Sequence, residues 1–215
     1  MPYRVTAKGQ QRRDERRAQI VEAATRLFVA QGYAATTMQQ VVEAAGTSIG
    51  NCYFYFPNKD ALLHAVVEQI NTDVGAAIDR AIAGVMPGLT QIAIALYTSA
   101  QEFAARRDVA RVALIEAAQL GLQALMIEHF GQRIARVFAA QPALLHGQNP
   151  QLAAIAWQGA AINVLQHMLT GQNLDPQAVG RFIARWNMQA LGLPSNQIEA
   201  AMNELEAWIA QGVTV

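Results

Sequence analysis

Apolar positions recur with helical rather than strand periodicity along most of the chain. Ile20, Ala23, Ala24, Leu27 and Phe28 share one face of a first helix, whose start falls within Lys8–Asp14. Glu22 and Arg26 sit four residues apart on its wet side, and Gly32 ends it. Thr37 and Gln40 have the spacing of a capping box and open a second helix with an apolar edge of Met38, Val41 and Val42. Gly46 stops that helix, and Ser48 caps a short third one over 48–55. Helix, glycine turn, short helix is the pattern of a helix-turn-helix. Pro57 cannot extend the third helix and biases Phe56 away from helical geometry. Asn58 then caps a long fourth helix, with Asp60 near its positive end, that runs toward the break at "GVMPG", residues 84–88.

Six further helices are expected near 88–106, 108–121, 122–140, 150–171, 175–192 and 195–211. The firm breaks are "QPALLHGQNP", "TGQNLDP" and "GLPSN". Residues 150–171 are apolar on more than one side. Ile155, Gly159 and Ile162 mark one side, and Trp157, Ala161, Val164 and Met168 another. Such a helix is buried in a core or between subunits. The expected fold class is all-α.

An apolar content of 53% excludes disorder. The most apolar stretch, 89–105, is interrupted by Thr90, Gln91, Ser99, Gln101 and Glu102, so no membrane-spanning helix is expected. The basic N-terminus leads into no apolar segment, so no signal peptide is expected. Cys52 is the single cysteine, and a cytoplasmic location is the simplest reading. A net charge of zero hides a split. Residues 1–60 carry eight Lys or Arg against five Asp or Glu, and the remainder eight against eleven. A basic end on an acidic body fits either a polyanion contact or a merely solvated tail. Four consecutive aromatics, Tyr53 to Phe56, cannot all face one core.

Residues 17–67 resemble the tetracycline-repressor (TetR) family of transcriptional regulators. The resemblance is carried by Leu27-Phe28, Gly32-Tyr33, Thr36-Thr37, Ala44-Ala45-Gly46, Ser48, Gly50, Tyr53, Tyr55-Phe56, Lys59-Asp60 and Leu62-Leu63. It implies an N-terminal three-helix DNA-binding domain, here residues 1–57. A larger helical ligand-binding and dimerisation domain, 58–215, would follow, with the 58–84 helix linking the two. It also implies a homodimer on a near-palindromic operator in double-stranded DNA, released by a small molecule. The expected function is therefore a ligand-responsive regulator, in the first instance a repressor. The alternative is a helical small-molecule carrier or sensor with no DNA role.

The second helix of such a motif enters the major groove, which puts residues 48–55 against DNA. Thr36, Thr37 and Ser48 can meet phosphate at helix starts, or serve only as caps. Gly50 allows close backbone approach to DNA, or marks tight helix packing. Asn51 can pair with an adenine edge, or be solvated. Tyr53 and Tyr55 resemble the family's phosphate-binding positions. Phe56 is assigned to the core, and Phe54 is left unassigned. Lys59 offers a charge to phosphate. Ile49 departs from the family's polar residue, and either packs or touches a thymine methyl. Cys52 departs from the usual leucine and reads as a core filler. Arginines 12, 13, 16 and 17 form either a DNA-binding arm or a wet helix face.

For the ligand, polar or aromatic residues on apolar faces are the candidates: Tyr97, Phe103, Glu116, Met126, His129, Phe130, Asn163 and His167. An apolar or aromatic effector is expected. The four histidines have no metal-ligand spacing, and no P-loop, GxGxxG, HExxH or GxSxG motif occurs. No cofactor, metal or enzymatic activity is expected.

Overall fold

The computed structural model describes residues 7–171 and 174–212; the side chains of 123–129 also lie outside the described residues. Among the described residues every regular element is helical. The chain divides into two compact units, residues 1–69 and 70–215.

The N-terminal unit begins with α1 (Ala7–Ala35), which buries Ile20, Ala23, Ala24 and Phe28 as the spacing predicts. Gly32 breaks the helical geometry near its end, with φ 81° and ψ 159°, a region open essentially to glycine. In α2 (Met38–Ala44), both halves of the capping box form: Thr37 Oγ1 accepts from the Gln40 amide, and Gln40 Oε1 accepts from the Thr37 amide at 2.8 Å. Helix α3 (Ile49–Tyr55) starts on Ser48, whose hydroxyl accepts from the Asn51 amide at 3.2 Å. Asn58 Oδ1 accepts from the Ala61 amide at the start of α4 (Lys59–Ala81). The division between the units falls inside α4. Leu62, Leu63, Val66 and Val67, on its first half, are buried. Phe56 and Cys52 are also buried, and burial pushes the Cys52 thiol up from its ordinary pKa. That thiol is a core filler held in its unreactive form.

The C-terminal unit is built on α5 (Leu89–Ala105), which buries residues on most of its circumference. It lies against α10 (Pro176–Ala190) and α11 (Ser195–Ala210). At Gly180 the approach is close enough that a Cβ would stand 2.9 Å from Tyr97 Cδ2 and 3.0 Å from its Cα. Arg181 of α10 stacks over the Tyr97 ring and grips Glu206 of α11 with Nε at 2.6 Å and a terminal nitrogen at 3.0 Å. Helix α8 (Gln123–Ala140) pairs with α9 (Pro150–Leu169), which in turn packs on α10. The single helix expected over 108–121 is instead α6 (Arg107–Arg111), a π-helical turn (Val112–Glu116) and α7 (Ala117–Gln119). Gln166 of α9 donates to the Leu114 carbonyl inside that turn at 2.7 Å. A partner from a distant helix is not visible in the local pattern.

Gly180→Ala should destabilise the C-terminal unit by about 1–3 kcal/mol, because the new methyl meets Tyr97 backbone as well as its ring. Thermal and urea unfolding of the variant would measure the loss. An unchanged midpoint would mean that α5 and α10 can separate without penalty.

Candidate nucleic-acid interface and cavity

Helix α3 turns one face to solvent. Ile49 is 53% exposed, Tyr53 45% and Phe54 70%, at the spacing of one helical face. Gly50 lies on the same face, and a Cβ there would meet nothing within 4 Å, so helix packing does not explain the glycine. Phe54 packs edge-on against Tyr55, which is half-buried. The opposite side carries Cys52 and leads into buried Phe56, over whose ring the Arg17 guanidinium lies at 5.3 Å. The aromatic run thus divides by helical geometry, with Phe54 out and Phe56 in.

The remaining expected DNA contacts sit differently. Thr37 and Ser48 are exposed caps. Thr36 is 1% exposed; its hydroxyl donates to the Gly32 carbonyl at 2.8 Å and accepts from Gln31. Asn51 is half-buried, and its side-chain amide donates to Thr47 Oγ1 at 2.7 Å. Lys59 is turned back onto the end of α1. Its Nζ donates to the carbonyls of Tyr33 at 2.7 Å, Ala34 at 3.3 Å and Thr36 at 2.8 Å, and lies 4.2 Å from the centre of the Tyr33 ring. These carbonyls lie at and just beyond the end of α1, where that of Tyr33 also accepts from the Thr36 amide at 3.2 Å. Tyr33 also gives its hydroxyl proton to Asp60 and packs against Phe28. Burial first, then the Asp60 hydrogen bond and charge, push the Tyr33 phenol up to about 12. Arg12 and Arg13 are exposed on α1, and Arg17 approaches Glu68 at 3.8 Å.

The C-terminal unit contains a cavity of about 330 Å³. Its wall takes residues from the far end of α4 (Ile78, Asp79), from α5 (Leu96, Ser99, Phe103), from α8 (Phe130, Arg133, Ile134) and from α9 (Trp157, Ile162, Leu165). Leu114, in the π-helical turn, lines it too. The polar wall groups are mostly engaged. Ser99 donates to the Leu96 carbonyl at 2.7 Å, and the Arg133 guanidinium holds Asp79 with both terminal nitrogens. Of the expected ligand residues, Phe103 and Phe130 line this cavity, their rings 6.2 Å apart. Tyr97 lies in the α5–α10 contact, Glu116 in the π-helical turn, and Asn163 and His167 on the exposed side of α9. The side chains of Met126 and His129 lie outside the described residues. Trp157, Ser99 and the α4 contribution went unpredicted. The alternate apolar side of α9 that carries Trp157 and Ala161 was the available signal.

Residues 20–66 match the family described as bacterial regulatory proteins, tetR family. The transcriptional regulator HbdR of Aromatoleum sp. (strain CIB) is 35% identical over 95 residues, which are 44% of this chain and 42% of HbdR. The regulator TtgR of Pseudomonas putida is 42% identical over 57 residues, 26% of this chain and 27% of TtgR. The chain therefore spans less than half the length of these curated relatives. The solved structure of RolR in complex with resorcinol shares the fold over 90% of this chain and 95% of its own, with a TM-score of 0.66 at 21% identity.

Lys59→Met should lower the opening free energy of α2 and α3 by about 2 kcal/mol, the scale of a hydrogen-bonded charge lost from carbonyls it satisfies. Native-state hydrogen exchange on the full chain would read it, with Lys8→Met on the exposed part of α1 as the reference. Equal exchange in the two variants would remove Lys59 from its place as a structural latch. Residues 20–66 of this chain thus match the tetR family of bacterial regulatory proteins in sequence, and 90% of the chain shares the fold of RolR.

Proposed function

We propose that the protein is a ligand-responsive, DNA-binding transcriptional regulator, and in the first instance a repressor that a small molecule releases from its operator. One observation carries the reading: α3 holds a solvent-facing surface of Ile49, Gly50, Tyr53 and Phe54 that no packing requirement accounts for. On DNA, Ile49 and Phe54 offer apolar contact to thymine methyls. The phenols of Tyr53 and Tyr55 and the caps Thr37 and Ser48 meet the backbone, and Arg12 and Arg13 add charge along it. In this reading Lys59, Thr36 and Asn51 act by positioning α2 and α3, since Lys59 and Thr36 bond to backbone carbonyls and the Asn51 amide nitrogen to Thr47.

The cavity supplies the regulatory half. Helix α4 contributes buried residues to the N-terminal unit and wall residues to the cavity. A ligand that binds two placements of α4 unequally therefore shifts the protein between them. RolR, similar in fold, holds resorcinol, which supports a small effector. The described residues include no helix long and apolar enough to cross a membrane. Cytoplasmic action without enzymatic chemistry fits that role. We place a second copy of the chain on α9 and α10. Leu152 (66% exposed) and Ile155 (55%) of α9 and Phe182 (54%) and Trp186 (44%) of α10 form an exposed apolar face there.

Selection of bound duplexes from a random pool tests the reading. The expected product is a near-palindrome with two thymine-containing half-sites; a protein that enriches no sequence is a carrier or sensor without a DNA role. Gly50→Ala should then weaken operator binding at least tenfold while leaving the melting temperature unchanged or raised, since alanine is the better helix former by about 0.5–1 kcal/mol. Operator affinity equal to that of the native protein would move the DNA surface away from this face. Phe182→Arg should convert the dimer to monomer in sedimentation, and a native chain that sediments as a monomer would remove the proposed interface.

A further inference from the structure

We infer that the cavity takes an amphipathic organic acid, an apolar body with one carboxylate, and that this carboxylate replaces Asp79 on the Arg133 guanidinium; this rests on the cavity being the effector site. Among the described residues the wall carries three charged side chains, Asp79, Arg133 and Arg136, two cations to one anion. Arg133 and Arg136 are three residues apart on α8 and so share a face. Arg136 is exposed, and its Nε donates to the Gln132 carbonyl at 3.3 Å; it has no carboxylate partner among the described residues. Arg133 gives both terminal nitrogens to Asp79 of α4. The Asp79 side chain is 63% exposed and that of Arg133 24%. The charged groups therefore stand where the wall meets water. Away from them the wall includes the apolar and buried Phe103, Leu114, Ile162 and Leu165. A wall charged at its wet edge and apolar inside matches a molecule with one acidic end.

The exchange favours the ligand. An ion pair this exposed contributes little, at most about fivefold in an equilibrium. A carboxylate brought in by a ligand meets the same planar fork of donors that holds Asp79. The ligand's apolar body adds burial that Asp79 does not offer. Asp79 is already largely in water, so giving up Arg133 leaves no buried charge behind. Arg136 adds a second cation on the same face of α8. A neutral ligand of the same outline buries the same body but gains neither guanidinium as a charge partner. The Arg133–Asp79 pair also joins α8 to α4, so an acid that takes Arg133 releases the far end of α4 from α8 as it binds.

2-Naphthylacetate and the matching methyl ketone, 1-(2-naphthyl)propan-2-one, share one outline and differ in charge. Calorimetric titration of the full-length protein should show the acid bound about tenfold more tightly, the scale of a charge-assisted pair gained for an exposed pair given up. Arg133→Gln should bring the ratio to about one and leave the ketone's affinity unchanged. Asp79→Asn should tighten the acid about threefold, because its competitor is gone, and again leave the ketone unchanged. Ala161→Trp, which fills the cavity, should abolish binding of both. If that variant unfolds, mutual displacement of the two probes from one site in the native protein takes its place. In the same buffer the acid should lower affinity for the operator selected above. An acid bound no more tightly than the ketone, a ratio that survives Arg133→Gln, or an acid that Asp79→Asn does not tighten would overturn the exchange and leave the cavity as a binding site. Failure of both probes to bind, binding that Ala161→Trp leaves intact, or probes that do not compete would overturn the cavity as the site of either. An acid that binds through Arg133 yet leaves operator affinity unchanged would keep the exchange and overturn the effector role of the cavity.

Discussion

The ammonium of Lys59 closes the end of α1 by taking three backbone carbonyls at once, and the geometry of the N-terminal unit follows from that contact. Gly32 breaks the helical geometry near the end of α1 before the chain turns into α2, and a helix end leaves carbonyls short of partners. A single cation from the first turn of α4 satisfies them while resting on the Tyr33 ring, and the neighbouring Asp60 takes the Tyr33 hydroxyl. Two adjacent residues thus tie the two longest helices of the unit together. Helices α2 and α3 are too short to be stable alone; α2 packs on α1 and on α3, and the pair buries Val41, Val42, Cys52 and, at the end of α3, Phe56.

That arrangement explains how exposed aromatics are tolerated on so short a helix. Phe56 is driven into the core beneath Arg17, and Pro57 and Asn58 restart the chain as α4. With its inner side so anchored, α3 can leave Ile49, Tyr53 and Phe54 in water. Exposure costs stability that the latch and core supply, and a surface kept apolar at that cost points to a partner that covers it.

The C-terminal unit solves a different packing problem. Gly180 lets α5 and α10 approach closely on one side. On the other side, α5 faces α8 and α9 across a space that their side chains do not fill. The polar groups around that space bond mainly to one another or to backbone, which keeps the wall largely apolar in character. Helix α4 belongs to both problems, since Leu62 and Leu63 serve the first core and Ile78 and Asp79 the cavity. The π-helical turn at Val112–Glu116 places Leu114 on the wall while Gln166 satisfies its carbonyl.

What the sequence by itself determined is what depends on neighbours within a few residues. The capping box of Thr37 and Gln40, the Ser48 cap, the stop at Gly32 and the burial of Phe56 beside exposed Tyr53 were all legible, because they follow from helical spacing and backbone conformation. Only the tertiary structure decided where polar side chains spend their hydrogen bonds. Lys59, read locally, is a surface cation; its acceptors lie 26, 25 and 23 residues away. Thr36 and Asn51 were likewise claimed by partners that a linear pattern does not rank. The cavity was the least legible feature, since its wall draws single residues from helices far apart in the chain. Periodicity shows that a helix face is apolar, but contacts such as the close approach at Gly180 set which apolar face meets another and which borders a space. Those are properties of packing, in which each side chain's place is fixed by the volumes of all the others.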